Sequence, residues 1–325
     1  MRDDEQFNED RMLRSMEIQT VYENEVNAAP AVMDKVRQIR RKRKGSIRHS
    51  PRRTAFIAMA AAVLILTSIT AYAGSYLVHI QNKEGVIILS VMEPQYYPIS
   101  AYEQKRREEA EAELKKILEP GQQAVYYIKD KRLTTSPDSR VLYYYYEPIR
   151  HRSYADLAKD IEATGAPLLP EPSYVPRGYA LDHGRIQIQN TPQPNTPEYE
   201  KLWAELKERS LKSDEEAGLF YKIVPWSEPA STVLEYRKGE RLLRMIAFAR
   251  TKGSAVQVPS KQAVKLTVKG KEMILSSTSA EDSRKLSWLS ESETVFYMIT
   301  DDPKDPLPEE EFTRIAEGMI GDEVE

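Results

Sequence analysis

The sequence predicts an α+β protein with one transmembrane helix and an extracytoplasmic domain in which a curved antiparallel sheet is covered by helices. Three observations lead there. An uncharged run stands directly behind a basic block, short β-rich runs separated by Gly or Ser turns fill the C-terminal half, and amphipathic segments of helical period interrupt them. At 325 residues, 41% hydrophobic and 30% charged, the chain is not wholly disordered, collagen-like or a multi-span membrane protein. The absence of Cys excludes disulfides, Cys-ligated zinc, iron–sulfur clusters, thiol nucleophiles and the acylated cysteine of a lipoprotein.

The net charge of −3 conceals a segregation along the chain. Residues 1–34 hold nine acids against three bases, and residues 35–53 hold ten bases and no acid, among them Arg40, Arg41, Lys42, Arg43, Lys44, Arg52 and Arg53. From Thr54 to Val78 there is no Asp, Glu, Lys, Arg or His. A helix of that length reaches about 37 Å, enough to cross a hydrocarbon core of about 30 Å with some tilt. The basic flank sets orientation, placing the N-terminus in the cytoplasm and the C-terminus outside the cell membrane. Ala71-Tyr72-Ala73 also fits a signal-peptidase site, so cleavage after Ala73 competes with a retained anchor; the long basic flank favours the anchor. The basic run is read as topology-setting, and no nucleic acid is expected.

Residues 1–53 form a cytoplasmic stub too small for most enzymes. Phe7, Met12, Leu13 and Met16, then Val32, Met33, Val36 and Ile39 after Pro30, give two short amphipathic helices. Such stripes either touch the membrane or dock in a partner's groove.

Beyond the span, residues 79–152 read as a membrane-proximal unit and residues 153–325 as a second one. Residues 75–92 alternate as a strand pair around a turn at 82–85, and residues 101–119 are a charged, exposed helix stopped by Pro120-Gly121. Strands follow at 124–128 and 141–147, with a turn around Ser136-Pro137-Asp138. Ser153 caps a helix ending at Gly165, and four prolines make residues 166–179 extended. A helix at 198–211 precedes a run of hairpins: 219–224, 232–236, 242–248, 264–268, 273–275, 285–289 and 295–299. The last helix starts at Pro308 and buries Phe312, Ile315, Ala316 and Met319. Tyrosines concentrate in the early strands. A sheet half packed and half covered by amphipathic rings accounts for them; the functional alternative is a groove for lipid, glycan or peptide lined by Tyr126, Tyr143, Tyr145, Tyr174, Tyr179 and Trp288.

Four segments carry a family resemblance: Pro172-Ser-Tyr-Val-Pro-Arg-Gly-Tyr179, Leu266-Thr-Val-Lys-Gly-Lys271, Leu286-Ser-Trp288 followed by Phe296-Tyr-Met-Ile299, and Phe312-Thr-Arg-Ile-Ala-Glu-Gly-Met319. Together they resemble the domain of unknown function 4367 family over residues 154–320. The resemblance implies an extracytoplasmic domain outside a single span in a bacterial envelope protein of anti-sigma-factor-like architecture, with a sigma factor as the implied partner of the stub. Arg177 departs from the family pattern, which more usually has an acid there, and the stub lacks the His and Cys of zinc-binding anti-sigma domains.

Motifs for chemistry are missing. His49, His79, His151 and His183 are scattered without metal-ligand spacing, Lys269-Gly270-Lys271 is no phosphate loop, and neither a Gly-x-Ser-x-Gly elbow nor a Ser-x-x-Lys pair occurs. The expectation is a non-catalytic protein without cofactor or metal: an envelope regulator whose exterior domain senses or binds. The alternative is an anchored or released binding module for lipid, lipoprotein or cell-wall material.

Overall fold

The computed structural model describes residues 78–95, 99–133, 140–279 and 282–320. The stub, Thr54 and nearly all of the predicted span, the topology-setting bases, Ala73 and the turn at 136–138 lie outside these residues. Among the described residues no helix is long and apolar enough to cross a membrane. Val78, read as the end of the span, is the one part of it described: its carbonyl accepts from the Val91 N–H at 3.2 Å, and its side chain packs on a core cluster of the domain.

Seven strands form one sheet. They are β5 (Ala180–Ile188), β7 (Pro229–Lys238), β8 (Arg241–Ala249), β10 (Gln262–Val268), β11 (Lys271–Ser277), β12 (Lys285–Leu289) and β13 (Val295–Thr300). Their order is β10-β11-β12-β13-β8-β7-β5, and every neighbouring pair is antiparallel. Alternation gives the sheet two buried faces. On one, Leu234, Met245, Leu286 and Ile299 pack against Leu157 and Ile161 of α2 (Tyr154–Thr164) and Phe312, Ile315 and Met319 of α4 (Glu309–Ile320). On the other, Val233, Ile246, Ile274 and Met298 meet Ile80, Ile88, Leu89 and Val258.

The expected helical cover is found on the first face, and the second is covered by strands. Its cover is a small sheet of order β1-β2-β9, made of β1 (His79–Gln81), β2 (Ile87–Met92) and β9 (Val256–Pro259). β9 pairs parallel with β2, an arrangement no local turn signal announces.

α2 shows local chemistry agreeing with packing. Ser153 accepts the Asp156 N–H at its start, and Gly165 closes it in the left-handed region at φ 70. Leu157, fully buried, sits directly on the sheet at Gly184, where a Cβ would lie 2.6 Å from the leucine methyl. Burying a leucine of this kind stabilises by about 1.5–3 kcal/mol. Any larger residue at 184 would push the helix away.

The remaining strands build a second unit. β3 (Gln123–Lys129) is flanked by β4 (Tyr143–Tyr146) and β6 (Gly218–Val224), both antiparallel to it. The charged helix α1 (Ala101–Ile117) covers one face through Ala110 and Leu114, and α3 (Pro197–Lys212) covers the other through Tyr199, Leu202 and Leu206. Residues 219–224 were expected to open the run of hairpins; they pair instead with β3, and the link to β7 through Pro225 is not a hairpin turn. Backbone pairing crosses the boundary expected between 152 and 153 at three places among the described residues: β6 joins β3, β9 joins β2, and His151 bridges to Gly184.

Candidate functional site

The predicted aromatic groove does not assemble. Tyr126, Tyr143 and Tyr145 are buried beneath α1, with Tyr126 and Tyr143 stacked at 5.4 Å between ring centroids. Their hydroxyls are spent on carboxylates: Tyr126 donates to Glu111 at 3.1 Å, Tyr143 to Glu103 at 3.3 Å and Tyr145 to Glu147 at 2.5 Å. Glu111 and Glu103 belong to α1, and this is how a helix with few large apolar residues packs: two of its acids reach the tips of Tyr126 and Tyr143 while Ala110 and Leu114 fill between the rings, and Tyr145 is served by Glu147 just beyond its own strand. Burial, with Glu103 alongside, pushes the Tyr143 phenol up to about 12. Tyr144 faces the other way and donates to the Pro192 carbonyl at 2.5 Å.

Trp288 lies in the core of the large sheet, stacked on Tyr297 at 5.4 Å. Tyr174 and Tyr179 pack at the edge of that same core, under the Arg314 guanidinium at 3.9 Å and the Lys238 ammonium at 5.9 Å respectively. The six residues therefore belong to two separate cores, and their ring area is used in packing.

The proline-rich segment has a structural task. Its prolines have no N–H to contribute to a ladder, so it runs across the end of the helix face as a strap whose carbonyls need donors. Thr232 supplies the Pro167 carbonyl at 2.7 Å, Tyr297 that of Leu168 at 3.2 Å and Tyr154 that of Leu169 at 2.9 Å. Further along, Ser173 N–H reaches the Gly318 carbonyl at 3.3 Å, and a Cβ at Gly318 would lie 2.9 Å from the Ser173 hydroxyl. Two of the segments that carried the family resemblance thus meet here, strap against α4.

The chemistry-bearing cluster sits on the opposite face of the large sheet. Register places Ser276, Lys285, Thr300, Arg244, Glu235 and His183 side by side across six strands, one row along from the apolar residues Ile274, Met298, Ile246 and Val233. At the β5 end, Glu235 is fully buried and held by two guanidiniums: Arg185 bonds to its Oε1, and Arg244 Nε reaches the same oxygen at 3.3 Å. The β5–β7 register slips between Leu181 and His183, so Asp182 is an extra, bulged residue. The bulge sets Asp182 Oδ2 at 2.9 Å from His183 Nδ1 and at 3.1 Å from Arg237 Nε. Burial pushes the Glu235 carboxyl up, but Arg185 and Arg244 outweigh it and hold the group down at about 2.

Asp182, His183 and Glu235 offer ligand atoms within 4.8 Å of one another. The donor set does not fit a divalent cation. Arg185 already faces His183 Nε2 at 3.1 Å and Glu235, Arg237 holds Asp182, and a metal would enter among three fixed positive charges. Motif spacing had no way to find this cluster, whose members span more than 60 positions. The available signal was a charge at an alternating position inside an apolar strand, Glu235 in Val-Leu-Glu-Tyr and Arg244 in Leu-Leu-Arg-Met.

Fold and site together define an α+β protein of two interleaved units with a buried, charge-compensated cluster at the edge of its main sheet. No family model, curated protein or solved structure matches the chain.

Proposed function

We propose that the chain is a single-pass bacterial envelope protein, N-terminus cytoplasmic, whose non-catalytic exterior domain senses or binds while the stub engages a cytoplasmic partner such as a sigma factor. One observation carries this reading: an acidic amphipathic stub, a ten-base block and a 25-residue uncharged run follow one another in that order. The family resemblance over residues 154–320 supports the same assignment. Fractionation with N-terminal sequencing tests the topology; the reading expects membrane-bound protein retaining residue 1, and a soluble product beginning at Gly74 overturns it. Exchanging residues 1–53 for an unrelated leader with the same basic flank tests the regulatory half. The exchanged chain should insert normally yet fail to restore the transcript profile of a deletion strain, and full restoration would leave the stub a topology signal only.

The alternative, an anchored or released module for lipid, lipoprotein or cell-wall material, drew on the tyrosine clustering. With Tyr126, Tyr143, Tyr145 and Trp288 buried, that support is lost.

A further inference from the structure

His183 is buried on β5, the last strand of the large sheet, and its two ring nitrogens have different partners. Arginine can only donate, so Nε2, 3.1 Å from Arg185, accepts, and the ring proton lies on Nδ1 facing Asp182 at 2.9 Å. One strong acceptor in the cluster is unspent: Glu235 Oε2 is buried without a hydrogen bond, 3.9 Å from His183 Nε2.

We propose that His183 is a proton-operated switch in the bulged edge strand: a proton added at Nε2 exchanges its contact with Arg185 for one with Glu235 Oε2 and displaces β5. Once Nε2 carries a hydrogen, two donors face each other across the Arg185 contact, which becomes repulsive. The idle oxygen lies roughly 1 Å beyond hydrogen-bond reach, and the imidazolium that moves toward it bridges two carboxylates, Asp182 and Glu235. Arg185 keeps Glu235 Oε1. The charged groups facing the ring are Asp182 and Arg185 from β5, Glu235 and Arg237 from β7, Arg244 from β8 by way of Glu235, and Arg150 from the segment before α2. Burial, the largest influence, lowers the His183 pKa, Glu235 and Asp182 raise it, and Arg185 and Arg150 lower it. The resting state at neutral pH is therefore the neutral ring, and the trigger is acid. The strand is held less on its outer side than on its inner one, since among the described residues that side is joined by a single bridge, His151 to Gly184. The switch goes beyond the topology proposed above and operates wherever the domain meets falling pH.

The full-length chain has only four histidines, so ¹⁵N-histidine labelling resolves them, and H49Q, H79Q and H151Q assign His183 by elimination without altering it. At pH 7.5 the His183 ring should show the Nδ1–H tautomer, and on acidification its Nε2 resonance should shift to the imidazolium position. Over the same pH change, hydrogen exchange corrected for intrinsic rate should show residues 180–188 losing protection in the wild type, with the loss abolished in H183Q. An Nε2–H tautomer at pH 7.5, unchanged protection in the wild type, or an equal loss in H183Q overturns the proposal. Should H183Q fail to fold, the wild-type ring tautomer and the wild-type exchange decide alone.

Discussion

Two carboxylates are buried at nearly the same level of the large sheet with β8 between them, Asp301 one residue beyond the row that holds Glu235, and their environments drive their pKa values apart. Glu235, in the middle of β7, is held at about 2; Asp301, just past β13, is pushed up to about 6. Burial is the largest influence on both and raises both. Glu235 escapes it because Arg185 and Arg244, from the strands on either side, place full charges against one oxygen. Asp301 receives the Arg284 N–H at 2.6 Å, the Leu307 N–H at 2.9 Å and one guanidinium, also of Arg284, at 3.5 Å. Two backbone dipoles and a single, more distant charge do not repay its desolvation. Two backbone hydrogen bonds and one more distant guanidinium leave a buried acid expensive; two contacting charges from different strands do not.

The sharpest way to break this comparison is to remove the centre of the charged cluster. Glu235→Ala removes the buried carboxylate that Arg185 and Arg244 share and should cost about 3–5 kcal/mol in urea unfolding. A loss under about 1 kcal/mol would show that the arginines find water instead. The pH dependence of stability separates the two acids next. Glu235 has a folded pKa below its unfolded value of 4.5, so its contribution is complete above that value and disappears as pH falls toward 2. Asp301 has a folded pKa above its unfolded value of 3.8, so it costs stability above about 6 and the cost is relieved as pH falls from 6 to 4. Asp301→Asn should therefore remove an increase in stability on acidification through that window, worth no more than about 3 kcal/mol, while Glu235→Gln leaves that increase in place. Melting curves of the two variants from pH 3 to 8 check the opposed signs, and matching profiles would refute the contrast.

Gly318→Ala offers a control away from either charge. Its Cβ would meet the Ser173 hydroxyl at 2.9 Å and the Tyr174 nitrogen at 3.0 Å, and prising the strap from α4 should cost about 1–3 kcal/mol with no change in pH profile. The smallest effect is expected at Ser287, fully buried in the apolar row with an unpaired hydroxyl. Ser287→Ala should be neutral or stabilising by up to about 1 kcal/mol, because no partner is stranded by the loss. Marked destabilisation would mean that the hydroxyl is hydrogen-bonded in solution.

Legibility followed the range of the interaction. The start and stop of α2 at Ser153 and Gly165, the Lys238-Gly239 and Lys269-Gly270 turns and the buried face of α4 could be read directly, because each depends on residues within one turn of chain. β9 escaped notice because four residues ending in Pro259 give no recognisable alternation, and β6 was misassigned because its pattern suits a hairpin as well as a distant partner. The tyrosine run showed two rings on each face but not that α1 would roof one face with its acids. For the charged cluster, the charges of Glu235 and Arg244 inside apolar strands went unread, and the bulge at Asp182 that completes the group depends on the β5–β7 register.

Local order along the chain determined the α+β class, the hairpin turns, the helix ends and the segregation of charge, since periodicity, caps and net charge are sums over near neighbours. Only the tertiary structure decided that the units interleave, that the aromatic rings are core and that five charged side chains and a histidine from three strands form one cluster. Those outcomes depend on which strands pair and in what register, and pairing is chosen by the total area and charge buried across the whole sheet, a quantity no short window contains.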